Sequence, residues 1–261
     1  MGVATHSQRR VGLKALRLGL VLSAAVIVSA CASSKNGGTG THSATPNTAY
    51  VAPGSTEARQ QVARWTNAYT RNEKDRSAIL GYANALQRNG QITQAMAVLR
   101  SAVITYPNDR EISSAYGKVL AMNGMFDEAL NVLQRAQTPE TPDWKLMSAE
   151  AAVHDQLGQH QQARALYNQA LKIVPNEPTL LNNLALSYLL TDDLPKAEYT
   201  LKKAAALPTA DSRIRQNLAL VLGLQGKFDQ AIQVAQAEID PKQAEANIAY
   251  LRQMLQKRQQ G

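Results

Sequence analysis

Cysteine is nearly absent: the 261 residues contain one, Cys31, so the chain has no internal disulfide framework and no multi-cysteine metal site. Rings are scarce too, with two Phe, two Trp and 5% aromatic residues in all, although 44% of the chain is hydrophobic. A core of that composition rests on Ala and Leu, which suits close-packed helices. Histidine is also thin. His6 and His42 precede the helical part of the chain, and His154 and His160 lie six residues apart, too few for a three-ligand site. No HExxH, GxSxG, P-loop or Gly-rich nucleotide motif occurs. His154 falls on a core-facing slot, and acidic pairs such as Asp127-Glu128 read as solvated surface. The chain is therefore expected not to be an enzyme, with no cofactor and no metal.

Acidic residues are missing before position 31, where Arg9, Arg10, Lys14 and Arg17 precede the apolar run Leu18 to Ala30. A basic start and an apolar stretch too short to span a bilayer comfortably form a signal peptide over 1–30. Val28-Ser29-Ala30-Cys31 resembles the bacterial lipobox, which implies that Cys31 is lipidated and becomes the new N-terminus. The net charge of +8 includes the four basic residues of the signal, leaving +4 on the remainder. No basic run interleaved with aromatics appears, so nucleic acid is not expected as a partner. Residues 31–56 then run through Gly, Ser, Thr, Asn and Pro with little to bury, a tether with a reach of roughly 25–30 Å.

From there the pattern is helical and repetitive. A helix is expected over 57–75, five repeats over 76–241, and a capping helix over 242–261 with Ala244, Ile248, Leu251 and Leu255 on one stripe. Blocks cut at Arg76, Arg110, Trp144, Pro178 and Ser212 are each 34 residues long and align without a gap. Ala83, Gly117, Ala151, Ala185 and Ala219 share one slot, and Ala95, Ala129, Ala163, Ala197 and Ala231 share another twelve residues on. Between them stands Gly90, Gly124, Gly158 or Gly226, with Asp192 in the fourth block, at the turn of a helical hairpin. Leu99, Leu133 and Tyr167 follow four residues after the second alanine, so small residues and one large one share a face.

This register resembles the tetratricopeptide repeat (TPR), which implies an all-α superhelix of about five hairpins with an N-terminal half-repeat around Trp65 and Ala68. It departs from the pattern where the early aromatic slot holds Ile79, Ser113, Met147, Leu181 and Arg215, and where the fifth block ends with Ala235 and Glu238. A TPR array binds through the groove lined by its first helices. In the first block the groove slots hold Leu80, Asn84, Gln87 and Arg88. In the fourth and fifth they hold Asn182, Leu186, Leu189 and Leu190, then Gln216, Leu220 and Leu224. These leucines either form an apolar binding groove or tuck between neighbouring repeats.

The tracts Asp211 to Ala235 and Asn247 to Leu255 are similar to the C-terminal signature of the tight-adherence (Tad, or Flp) pilus assembly lipoproteins of the TadD family. That resemblance implies a periplasm-facing outer-membrane lipoprotein, anchored through lipid on Cys31 and acting as pilotin or assembly factor for a secretin subunit. The alternatives are a general TPR lipoprotein recruiting a peptidoglycan enzyme or other envelope machinery, a cryptic enzyme, or a purely structural envelope link.

Overall fold

The computed structural model describes residues 52–260, all of whose regular structure is helical. The signal peptide expected over 1–30, Cys31 and nearly all of the tether expected over 31–56 lie outside the described residues. Twelve helices follow in order: α1 (Thr56–Arg71), α2 (Arg76–Arg88), α3 (Ile92–Thr105), α4 (Arg110–Met122), α5 (Phe126–Ala136), α6 (Trp144–Gln156), α7 (His160–Ile173), α8 (Pro178–Leu189), α9 (Leu194–Ala205), α10 (Ser212–Leu224), α11 (Phe228–Gln236) and α12 (Pro241–Gln260). The first helix of every hairpin starts on the residue that opens its 34-residue block. An acidic cap fixes each of these starts. Asp75, Asp109, Asp143, Glu177 and Asp211 stand one residue earlier, and each side chain accepts a hydrogen bond from an orphan N–H in the first turn.

The turns inside the hairpins repeat as faithfully. Gly90, Gly124, Gly158 and Gly226 take φ between 74° and 79°, and Asp192 takes φ of 60° in the fourth hairpin. Each turn closes with the same long backbone bond, as when the Gln91 N–H donates to Leu86 O at 2.9 Å and the Asp193 N–H to Tyr188 O at 3.0 Å. This left-handed cap satisfies carbonyls that the ending helix would otherwise leave open. Aspartate can substitute for glycine here because a short polar side chain tolerates that conformation.

Packing then follows from residue size. Ala95, Ala129, Ala163, Ala197 and Ala231 are all fully buried, as are Leu99, Leu133 and Leu201. At Gly117 an added Cβ would sit 2.6 Å from the Leu133 side chain, so glycine is what lets α4 and α5 meet there. First helices touch one another in sequence, α2 with α4, α4 with α6, α6 with α8 and α8 with α10. Among the described residues, successive second helices make no such contact, so the first helices form the inner, concave layer and the second helices the outer one.

Both ends of the stack are covered. α1 packs on α2, placing Trp65 where an added Gly81 Cβ would lie 2.4 Å from its ring. The helix ends at Arg71 rather than near 75, because Asn72 turns extended and Asp75 is taken up as the cap of α2. At the other end α12 buries Ala244 and Ile248 against α10 and α11, and Leu251 fills the space left by Gly223. The fifth hairpin is short on its outer side, where α11 has nine residues.

Candidate protein-binding groove

The concave layer encloses a groove of about 1300 Å³, lined by α2, α4, α6 and the start of α8. Helical spacing puts its residues in stripes: Leu80 and Asn84 on α2; Ser114, Lys118 and Met122 on α4; Ser148, Ala152 and Gln156 on α6; Thr179 and Asn183 on α8. The volume exceeds that of a drug-sized pocket and suits a polypeptide segment.

Several of the groove charges are already engaged. Arg76 donates to Asp109 and to Glu111 Oε2, the latter at 2.7 Å. Burial pushes the Asp109 carboxyl up, but the Arg76 bond and the backbone N–H of Ile112 outweigh it and hold the carboxyl below its ordinary value. Arg110 donates to the Thr141 carbonyl at 2.7 Å, and Asp143 accepts from the N–H groups of Lys145 and Leu146. Two cations differ. Lys118 and Lys145 line the groove with no carboxylate within salt-bridge distance among the described residues. Crowding by the groove wall, and then repulsion from Lys145, pull the Lys118 ammonium below the usual lysine range. The Lys145 ammonium stands 5.8 Å from the centre of the Trp144 ring.

A polar ladder runs along the same layer. Asn183 Nδ2 donates to Ser148 Oγ at 3.2 Å, and Asn217 Nδ2 donates to Asn182 Oδ1 at 2.8 Å, each bond joining residues 35 apart on neighbouring first helices. The corresponding rung from Ser114 would reach position 149, which is alanine. Ser114 is accordingly buried with 4% exposure and a hydroxyl that finds no partner.

The residues singled out in the sequence are distributed along the concave side. Leu80, Asn84 and Gln87 line the groove. Asn182 is half-buried in the ladder, and Gln216 is exposed with its amide on Ser212 Oγ. Leu186 and Leu190 are half-buried and Leu220 is exposed. Leu189 packs against the core shared by α8 to α11, while Leu224 lines a cleft with Phe228, Arg252 and Leu255 beneath α12. Lys118, Trp144 and Lys145 escaped the sequence reading, although Lys118 stands one period after Asn84.

Elsewhere Asp155, 8% exposed, ties three helices together: it accepts from His160 Nδ1 and from Ser187 Oγ, both at 2.8 Å. Burial and then the Asp155 charge push the Tyr167 hydroxyl upward in pKa. Serine, histidine and aspartate are the residue types of a nucleophilic triad, but here both Ser187 and His160 bond the carboxylate. The fully buried Ser187 hydroxyl has Asp155, not the imidazole, as its acceptor, so the cluster acts as an inter-repeat staple. His154, half-buried, bonds the Gln159 side chain at 2.6 Å.

Family models described as "Tetratricopeptide repeat" and "TPR repeat" match residues 76–119 and 155–192 respectively. No curated protein sequence matches the chain. Among solved structures, the human IFIT1 dimer with m7Gppp-AAAA superposes with a TM-score of 0.59 at 16% identity, over 76% of this chain and 50% of that one. The APC/C hetero-tetramer Cut9-Hcn1 gives 0.58 at 16%, over 74% and 38%. PilW, a widely conserved type IV pilus biogenesis factor, gives 0.54 at 22%, over 76% and 91%. The chain thus spans half or less of the first two, and likeness at these identities establishes the fold. Over the described residues the fold is an all-α TPR superhelix, and TPR repeats are scaffolds for protein–protein interaction.

Proposed function

We propose that this scaffold is an assembly factor, or pilotin, for the secretin of a Tad (Flp) pilus machine. It is held to the outer membrane by lipid on Cys31, faces the periplasm, and receives a segment of the secretin subunit on its concave side. The feature that supports this reading is the resemblance of the tracts at 211–235 and 247–255 to the TadD family. They come together in space, with Leu251 in the gap left by Gly223 and Arg252 stacked 4.4 Å from the Phe228 ring centre. Both tracts lie in one folded unit, the last repeat and its cap. The lipobox at Cys31 and the pilus role printed for PilW are compatible with this reading.

In this reading Leu186, Leu190 and Leu220 receive an apolar part of the partner, in register with the groove residues of the earlier repeats. The test is a pull-down from detergent-solubilised envelope, wild type against Leu220→Glu, with helicity measured on both. A secretin should co-purify with the wild type, and the variant should fold normally, since Leu220 is 37% exposed, while losing most of its partner. Recovery of a peptidoglycan enzyme or another envelope protein in place of a secretin would replace the pilus reading with the general recruiter.

A further inference from the structure

We propose that the groove across α2, α4 and α6 binds an extended acidic segment of a partner protein, with carboxylates on Lys118 and Lys145 and separate apolar side chains on Met122 and on Trp144. The inference rests on the protein-binding reading of the concave face and names the chemistry of what binds there.

Charge complementarity selects the occupant. Each groove carboxylate already has a partner: Asp109 and Glu111 hold Arg76, and Asp143 caps α6. Lys118 and Lys145 have no carboxylate within salt-bridge distance among the described residues, and Lys145 disfavours the Lys118 charge more than either Asp143 or Glu111 favours it, so an anion placed between the two lysines relieves repulsion as well as forming new bonds. The same stripe of α4 carries Ser114 one turn before Lys118 and Met122 one turn after it. Ser114 adds a buried hydroxyl without a hydrogen-bond partner, and Met122 is 57% exposed. Trp144, half-buried, lines the groove at the start of α6 next to Lys145. An acidic group beside a bulky apolar one fits this sequence of surfaces.

Shape favours a polypeptide over a membrane or a duplex. The lysines are exposed and line a concavity between inner helices, a shape that an extended chain fits better than a flat bilayer or a double helix. With the start of α8, which also lines the groove, four helices at about 10 Å spacing span roughly 30 Å, enough for about nine residues of extended chain.

The experiment uses the full chain in detergent and a rhodamine-labelled peptide of about ten residues in which Glu and Leu alternate, read by fluorescence anisotropy. A Gln-for-Glu counterpart is the uncharged probe. The acidic peptide should bind at least about tenfold more tightly than the Gln peptide and lose most of that advantage between about 50 and about 300 mM salt. Lys118→Gln and Lys145→Gln should each weaken it about fivefold or more. Lys203→Gln, on the exposed last turn of α9, should leave it unchanged. Equal affinity for the two peptides, or acidic-peptide binding that survives the double Lys118/Lys145 variant, overturns the proposal. Lysine-dependent binding of RNA or anionic vesicles in place of the peptide does so as well. The pilus reading fails separately: lysine-dependent peptide binding with no secretin in the pull-down removes the secretin and leaves the acidic groove standing.

Discussion

Glu198 couples two repeats through a single carboxylate. It sits on α9, buried to 8% exposure, and accepts from Lys202 of its own helix at 2.7 Å, from Lys227 at 2.6 Å and from Gln225 at 2.8 Å, the last two on the turn of the fifth hairpin. Burial pushes this carboxyl up, but the three hydrogen bonds together outweigh it and hold the pKa at about 2, against an ordinary 4.5. A lowered folded-state pKa contributes stability that is complete above about pH 4.5 and is lost as the pH falls towards about 2. Both lysines are partly solvated, so the contribution is discounted to about 2 kcal/mol. Glu198→Gln should therefore lower stability by about that amount in urea melts at neutral pH, and the gap between variant and wild type should narrow markedly by about pH 3. A gap independent of pH would remove the carboxylate from the coupling. Arg215 and Glu238 follow the same logic. Each departs from the repeat pattern, one in the early aromatic slot and the other where an alanine belongs, and the structure pairs them across α10 and the end of α11.

At the level of the helices, the small-residue slots decide how closely a hairpin can close. Ala129 has no exposed surface and lies in the same core as Leu120 and Leu133. Ala129→Leu should overpack this contact and cost about 1–3 kcal/mol in a denaturant melt, whereas Ala249→Leu on the exposed side of α12 should be nearly silent. Equal effects would disprove the register. That register was legible because size and conformation repeat every 34 residues: the alanine slots, the turn glycines and Asp192 each answer to one backbone requirement. The acidic caps at 75, 109, 143, 177 and 211 were equally periodic in the sequence. Apolar periodicity does not reveal them, because capping is carried by a polar residue just outside the helix. The groove was harder. Its walls are polar, and no local periodicity says which lysine will find a carboxylate. Lys118 and Lys145 stand out only once Arg76, Asp109 and Glu111 are seen to occupy one another. The leucines of α8 and α10 divided for the same reason, since Leu189 and Leu224 turn towards neighbouring helices while Leu220 stays exposed.

A stack of hairpins holds together through nearest-neighbour contacts, so its stability is distributed along one dimension and its ends are the weak points. Here the core divides into three clusters, each sharing a helix with the next. One cluster joins α2 to α6, another spans α6 to α8, and a third extends from α8 through α11 to Ile248 of the cap. Most of α12 faces water, and its hold on the stack comes from Ala244, Ile248 and Leu251. A charge at two of these positions should detach it without touching any earlier repeat. In Ile248→Asp with Leu251→Asp, amide exchange should accelerate first in α10 and α11, which lose their cover, and remain slow in α4 to α7, which keep both neighbours. The melting transition should broaden or split, because the fifth hairpin no longer shares the cooperativity of the rest. A uniform acceleration in every helix would show instead that the array unfolds as one unit. The variant also separates the two parts of the concave side. Acidic-peptide binding at Lys118 and Lys145 should persist, since those residues belong to hairpins two and three, while any partner held at Leu220 should be lost together with the order of α10.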